Sequence, residues 1–184
     1  MDAIADADLK GRVLIAIARE ALAAAGDYRA REGWDEPWLR EHGASFVTLR
    51  KHGDLCGCIG TIEAHRPLGE DVAHNAYAAA YRDHRFAPLG ISERALVDVE
   101  VSVLSPRMPV AAASEAEALA QLRPNVDGVV FQYGFNQATF LPQVWESLPD
   151  PLDFLMELRL KARVPARFWH VDVKLSRYTV DKYR

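Results

Sequence analysis

Between residues 8 and 25, Val13, Leu14, Ile17, Ala18, Ala21 and Leu22 recur at spacings of three and four. With Gly26 just beyond, that period predicts an amphipathic helix ended by a glycine stop. The next stretch, DYRAREGWDEPWLREHG, loses the period at Gly33 and Pro37. It predicts a long connection with Trp34 and Trp38 exposed or half-buried. From Ala44 the pattern changes to ASFVTLRK, then HGD, then LCGCIGTI, two β-rich runs around a glycine turn, which predicts a hairpin.

Pro67 is expected to open a second helix at its first position, with Leu68, Val72, Ala76, Ala79 and Ala80 as a small-residue stripe suited to close approach to a sheet. Ser92 and Glu93 suggest a short capped turn, and Val97 to Leu104 reads as a strand with Val97, Val99, Val101 and Val103 on one face. Ser114 and Glu117 have the spacing of a capping box. A second hairpin is expected from Val129–Tyr133 and Ala138–Leu141 across Gly134 to Gln137. Asp150-Pro151 should cap a helix to about Ala162 that buries Leu152, Leu155, Met156 and Leu158, and a final strand should run from about Trp169 to Tyr178. Strands that arrive mostly in hairpins favour an α+β fold over a doubly wound parallel sheet. No flexible linker divides the chain, so residues 1–184 read as one domain, with strands and helices in each half.

Composition narrows the function classes. A chain of 184 residues, 49% hydrophobic and 26% charged, can bury roughly 70% of its unfolded surface without disulfide or metal staples. A net charge of −4 provides no general basic field, which argues against nucleic acid and anionic membranes as partners. The N-terminal MDAIADADLKGR carries acids where a secretion signal needs positive charge, and no apolar run approaches the roughly 20 residues of a membrane span. A cytoplasmic protein with thiols rather than a disulfide is the expectation.

Candidate chemistry centres on Leu55-Cys56-Gly57-Cys58-Ile59-Gly60-Thr61, which holds both cysteines. Two residues apart on a strand, the two thiols are expected on one face, with Gly57 allowing a close approach by backbone or ligand. Cys58 is open to three readings: a buried structural thiol, a thiolate activated by a nearby cation or helix N-terminus, or a metal ligand. Zinc would need two further ligands, and His42, His52, His65, His74, His84 and His170 form no second close pair, so no metal site is expected.

Asp83-His84-Arg85-Phe86 follows the alanine-rich helix. Its cations could merely suit the helix dipole; alternatively Arg85 anchors an anion, Asp83 orients it or acts as acid or base, and His84 carries a proton. In Phe140-Leu141-Pro142-Gln143-Val144, a strand would end at Pro142, and Gln143 could present its amide to a ligand. Lys161 reads as a surface charge at a helix end. Phosphate-loop, dinucleotide and nucleophile-elbow motifs are absent, so a familiar hydrolase or nucleotide-cofactor enzyme is unsupported.

The ordered motifs resemble the AMMECR domain family, which includes bacterial and archaeal proteins called AmmeMemoRadiSam system protein A. The family's Leu-Arg-Gly-Cys-Ile-Gly-Thr is similar to Leu55 to Thr61, its Asp-x-Arg-Phe to Asp83 to Phe86, and its Phe-Leu-Pro-Gln-Val to Phe140 to Val144. Asp127-Gly128 and Lys174 to Tyr178 also fit. Cys56 replaces the family's arginine, which makes the Cys-x-Cys pair peculiar to this chain, and Arg163 stands where the family has a glycine helix stop. The resemblance implies two intimately packed subdomains with mainly antiparallel hairpin-built sheets and flanking helices, and a signature hairpin facing a cleft. It also implies association with a Memo-like protein and a radical S-adenosylmethionine protein, but no particular reaction or cofactor. The leading expectation is a small-ligand or partner-binding component using Gly57, Gly60, Thr61, Arg85 and Gln143, with Cys58 and Asp83 as the candidate catalytic residues. The alternatives are an enzyme with Cys58 as nucleophile or redox centre and a structural or regulatory adaptor; the oligomeric state is left open.

Overall fold

The computed structural model describes residues 2–24 and 36–184, with side chains from residue 8 onward. The expectations for Gly26, Gly33 and Trp34 lie outside the described residues. In chain order the elements are α1 (Asp2–Ala24), β1 (His42–Lys51), β2 (Asp54–Gly60), β3 (Arg66–Pro67), α2 (Leu68–Tyr81), β4 (Val97–Leu104), β5 (Met108–Pro109), α3 (Glu115–Leu119), β6 (Gly128–Tyr133), β7 (Asn136–Phe140), α4 (Pro151–Lys161), β8 (Lys174–Tyr178) and β9 (Val180–Tyr183). They form two compact units, Met1–Leu104 with Asp181–Arg184, and Ser105–Val180. The fold is α+β, as the hairpin pattern predicts.

In the first unit the strand order is β2-β1-β4-β9, with β3 paired to the start of β1. Side chains alternate across a strand. Val47 and Leu49 of β1 and Val97, Val99, Val101 and Val103 of β4 therefore share the buried face, where they meet α1 (Leu14, Ile17, Ala18, Ala21, Leu22) and the alanine stripe of α2. Phe46, Thr48 and Arg50 occupy the opposite face. The β1–β2 turn needs two residues of positive φ, supplied by His52 (53°) and Gly53 (89°). Pro67 precedes α2 as its N-cap instead of opening it, because its backbone is extended and pairs with His42. The turn near Ser92 is capped from Gly90, whose N–H donates to the Glu93 carboxylate at 2.8 Å.

The second unit has a sheet in the order β5-β8-β6-β7, and its core joins Val129, Phe131 and Leu175 to Phe154, Leu155 and Leu158 of α4. Trp145 stacks on Phe154 with ring centres 3.7 Å apart. The Ser114 hydroxyl accepts from Glu117 N, and Asp150 caps α4 by accepting from Leu152 N and Asp153 N. Three expectations are corrected here. The β6–β7 turn is only Gly134-Phe135, since Tyr133 already pairs with Asn136. Leu152 and Met156 are not core residues; Phe154 and Arg159 are buried in their place, because Pro151 starts the helix with Leu152 turned outward. The expected strand from Trp169 begins only at Lys174 and is followed, after Thr179, by β9, which joins the sheet of the first unit.

Candidate functional site

Strand β2 lies at the edge of its sheet, so its outward backbone groups need partners from elsewhere. At Cys58 these come from the segment after α2. The Asp83 carboxylate accepts from Cys58 N at 3.0 Å, and Arg85 Nη2 donates to the Cys58 carbonyl at 2.8 Å. Arg85 also grips Asp83 through Nε (2.9 Å) and Nη2 (2.7 Å), and its own N–H donates to Asp83 Oδ1. The pair serves Cys58 as a neighbouring strand would, with a donor and an acceptor in register. The Asp83 side chain is buried, whereas that of Arg85 is half-exposed. The guanidinium, reinforced by the two amides, holds the Asp83 carboxyl well below the usual carboxylate range against the opposing effect of burial.

The two thiols do not share a face, contrary to the spacing argument. The β1–β2 register pairs Leu49 with Gly57 but Arg50 with Leu55, leaving Cys56 as the extra residue of a bulge. Cys56 packs against the core of the first unit, and burial pushes its thiol up despite the nearby Lys51 ammonium. Cys58 sits across from Thr48 on the opposite face, its sulfur 3.4 Å from Thr48 Oγ1. Thr48 also lines a groove of about 570 Å³ with Arg19, Arg50, Asp98, Glu100 and Arg184.

Both signature glycines answer to close neighbours. A Cβ on Gly57 would lie 2.1 Å from the Ala79 carbonyl oxygen of α2, and one on Gly60 would lie 2.2 Å from the Phe46 ring. Thr61 enters a second polar centre, built on residues with no motif of their own. The Asp71 carboxylate, fully buried on α2, accepts from Thr61 Oγ1 (2.6 and 2.7 Å), from Ser45 N (2.9 Å) and Ser45 Oγ (2.7 Å), and from Asn75 Nδ2 (3.0 Å). Asp71 and Asn75, four apart and adjoining the apolar stripe of α2, were the available signal. Ser45 and Thr48 carried none.

The site residues thus fall into three places. Gly57, Cys58, Asp83 and Arg85 meet at the β2 edge; Gly60 and Thr61 lead from it into the Asp71 network; Gln143 belongs to the second unit, exposed on the short helical turn Pro142–Glu146. His84 is exposed. Chemically, a carboxylate that accepts from two backbone amides and a guanidinium is a poor base. The cation donates to the Cys58 carbonyl and also interacts with the thiol, which has the Thr48 hydroxyl as a further partner.

The same framework recurs in known proteins. A sequence profile of the AMMECR1 family matches residues 15–183. The chain belongs to the AMMECR1 family. Within reach of this assignment are a protein of Methanothermobacter thermautotrophicus, 35% identical over 178 residues covering 92% of this chain and 91% of that one, and Protein MJ0810 of Methanocaldococcus jannaschii, 34% identical with coverages of 80% and 75%. Among solved structures, the uncharacterized protein PH0010 from Pyrococcus horikoshii superposes with a TM-score of 0.85 at 30% identity, covering 95% of this chain and 91% of that one. In this AMMECR1 chain, the Asp-x-Arg-Phe motif physically holds the Leu-x-Gly-Cys-Ile-Gly-Thr strand. No helix among the described residues is long and apolar enough to cross a membrane.

Proposed function

We propose that this AMMECR1-family protein is a binding component, taking a small ligand or a protein partner at the surface built around Leu55 to Thr61, and that it serves alongside a Memo-like protein and a radical S-adenosylmethionine protein. One observation carries the reading: Asp83 and Arg85 hold both backbone groups of Cys58 as a neighbouring strand would, and the Asp83 carboxylate, spent on two amides and the guanidinium, is a poor base for the thiol. The Arg85 cation beside the thiol would suit a nucleophilic cysteine as well, but such a cysteine also needs a base, whereas a recognition strand needs its edge held in a fixed shape. In this reading Asp83 and Arg85 are positioning residues. Gly57 and Gly60 allow close packing, Thr61 ties the strand exit to Asp71, and the Cys58 thiol with the outer half of Arg85 faces the bound molecule. The partnership rests on the family resemblance alone, and Gln143 is a ligand contact only through its exposed amide after Pro142.

The test is co-expression of the full chain with the two companion proteins and measurement of co-purification and bound metabolites. A Cys58→Ala, Arg85→Ala double variant is expected to lose binding, with Cys58→Ala alone as the variant that leaves the edge bonds in place. Full retention of ligand and partner binding by the folded double variant overturns the proposal. Alkylation of Cys58 well below the pH range of an ordinary thiol, about 8.5, would favour the enzyme alternative instead.

A further inference from the structure

The edge of β2 is guarded at one position and open at the next. Thr61 N donates to Ser45 O at 2.9 Å, which places the bonds between β1 and β2 at that position and at every second residue before it. Gly60, opposite Phe46, and Cys58, opposite Thr48, lie at the alternate positions. Both therefore turn their backbone groups away from β1. At Cys58 these groups are taken by Asp83 and Arg85. At Gly60, neither the N–H nor the C=O has a hydrogen-bond partner among the described residues. Gly60 is only half-buried, and without a side chain it leaves the edge clear.

Two constraints define what fits there. A donor and an acceptor turned to one side by a single residue are complemented by one residue of another extended chain. Continued towards Cys58, such a chain reaches Asp83 and Arg85 in the next outward position, about 7 Å along the strand, and has to end there. What it meets is a guanidinium whose side chain is 51% exposed. Nε and both N–H groups of Nη2 are spent on Asp83 and the Cys58 carbonyl, which leaves Nη1 for the thiol and an incoming anion. A carboxylate suits that end of the chain, and an ammonium is repelled by it.

We infer that β2 captures the C-terminus of an extended peptide running antiparallel to it, the penultimate residue pairing both ways with Gly60 and the terminal carboxylate meeting Arg85. Directly opposite residues of an antiparallel pair share a face, so the penultimate side chain falls on the side of the Phe46 ring, which covers Gly60. An apolar residue is favoured at that place. The inference names a class of partner for the binding surface proposed above and rests on that reading.

The test is amide NMR on the full chain, titrated with the peptide acetyl-Ala-Ala-Leu-Ala bearing a free carboxylate. Two analogues accompany it: the C-terminal amide, and a peptide N-methylated at leucine, which lacks the N–H for the Gly60 carbonyl. The free acid should shift the Gly60 amide saturably and slow its hydrogen exchange, and each analogue should bind about fivefold more weakly. Because the analogues alter the peptide and not the protein, this result does not depend on a variant folding. In Arg85→Gln, acid and amide should bind alike. No shift at Gly60, equal binding of either analogue to the wild-type chain, or an acid preference that survives Arg85→Gln would each overturn the inference. A chain that ignores the peptide but still takes up its companions or a metabolite through Cys58 and Arg85 would remove the inference and leave the binding role standing.

Discussion

Each unit holds a buried aspartate in the grip of an arginine. Asp83 is bound by Arg85 at 2.7 Å and Asp127 by Arg123 at 2.6 Å, and the two arginine side chains are equally exposed, at 51% and 53%. Each carboxylate also accepts a backbone N–H. The difference lies in what the pair holds. Asp127 is gripped by Arg123 from four residues away, which closes a single turn, while Arg177 of β8 stands farther off at 3.6 Å and Trp145 Nε1 donates to the Asp127 carbonyl at 2.7 Å. Asp83 reaches Cys58, 25 residues earlier, and Arg85 completes the second bond to that residue. One ion pair is a local clip and the other a strut between distant segments. Their chemistry is alike, so separation along the chain decides which one can transmit a change to the signature strand.

The largest expected effects test how tightly that strand is held. Gly57→Ala would drive a methyl group into the Ala79 carbonyl, a backbone atom that moves only with α2. It is expected to cost about 3 kcal/mol or more in urea denaturation. Gly128→Ala, the counterpart beside Asp127, meets the Tyr178 ring at 2.4 Å and should cost less, because a ring can turn where a helix backbone cannot. Equal losses would erase the distinction between strut and clip at the level of packing.

Next in size, Asp83→Asn and Asp127→Asn should each destabilise by about 2 kcal/mol, less than for fully buried pairs because both arginines are half in water. Only Asp83→Asn should also speed amide exchange at Cys58. The Asp83 contribution has a defined pH course. Its folded pKa is depressed, so the stabilisation is complete above the unfolded value near 3.9 and declines as pH falls below it towards the folded one. The stability gap between wild type and Asp83→Asn should therefore be flat from about pH 5 to 8 and shrink below about pH 4. A gap that persists unchanged at lower pH contradicts the ion-pair account.

The contrast also explains what was legible in the sequence. Periodicity located both hairpins, the valine face of β4 and the stripe of α2, because each depends on a pattern a few residues long. The motif residues Cys58, Asp83 and Arg85 were legible as chemistry, but not as a joined edge, since nothing local links positions 58 and 83. The bulge at Cys56 reversed the facing of that thiol, and a two-residue spacing cannot reveal an inserted residue. Asp71 escaped notice because a polar residue in a helix normally faces water, while here Ser45, Thr61 and Asn75 supply the partners that make its burial tolerable.

A smaller, kinetic effect follows from that bulge. Cys56 packs on the core, where burial pushes its thiol up, and should react with iodoacetamide more slowly than Cys58 between about pH 7 and 9. Peptide mass spectrometry can follow both, and the two rates should converge in denaturant. Faster labelling of Cys56 in the native protein would contradict the facing assigned to the two residues.

The smallest effect returns to the second unit and to Arg163, just past the end of α4. Arg163 adopts φ of 61°, the left-handed conformation required after a helix, and the stop is fully formed: Val164 N donates to Arg159 O and Arg163 N to Leu160 O, both at 2.9 Å. The chain has therefore kept the geometry of the stop without the residue that adopts it most easily. Arg163→Gly should remove the steric cost of that conformation while adding some entropy to the unfolded state, for a net gain of about 0.5–1 kcal/mol. Arg163→Ala should bring no such gain, because alanine retains the Cβ. His52 in the first unit has a similar φ of 53°, and His52→Gly offers the matching measurement. A gain at both positions assigns the cost to backbone conformation alone. A loss at Arg163 with a gain at His52 would mean that the arginine side chain contributes more to the second unit than its backbone strain removes.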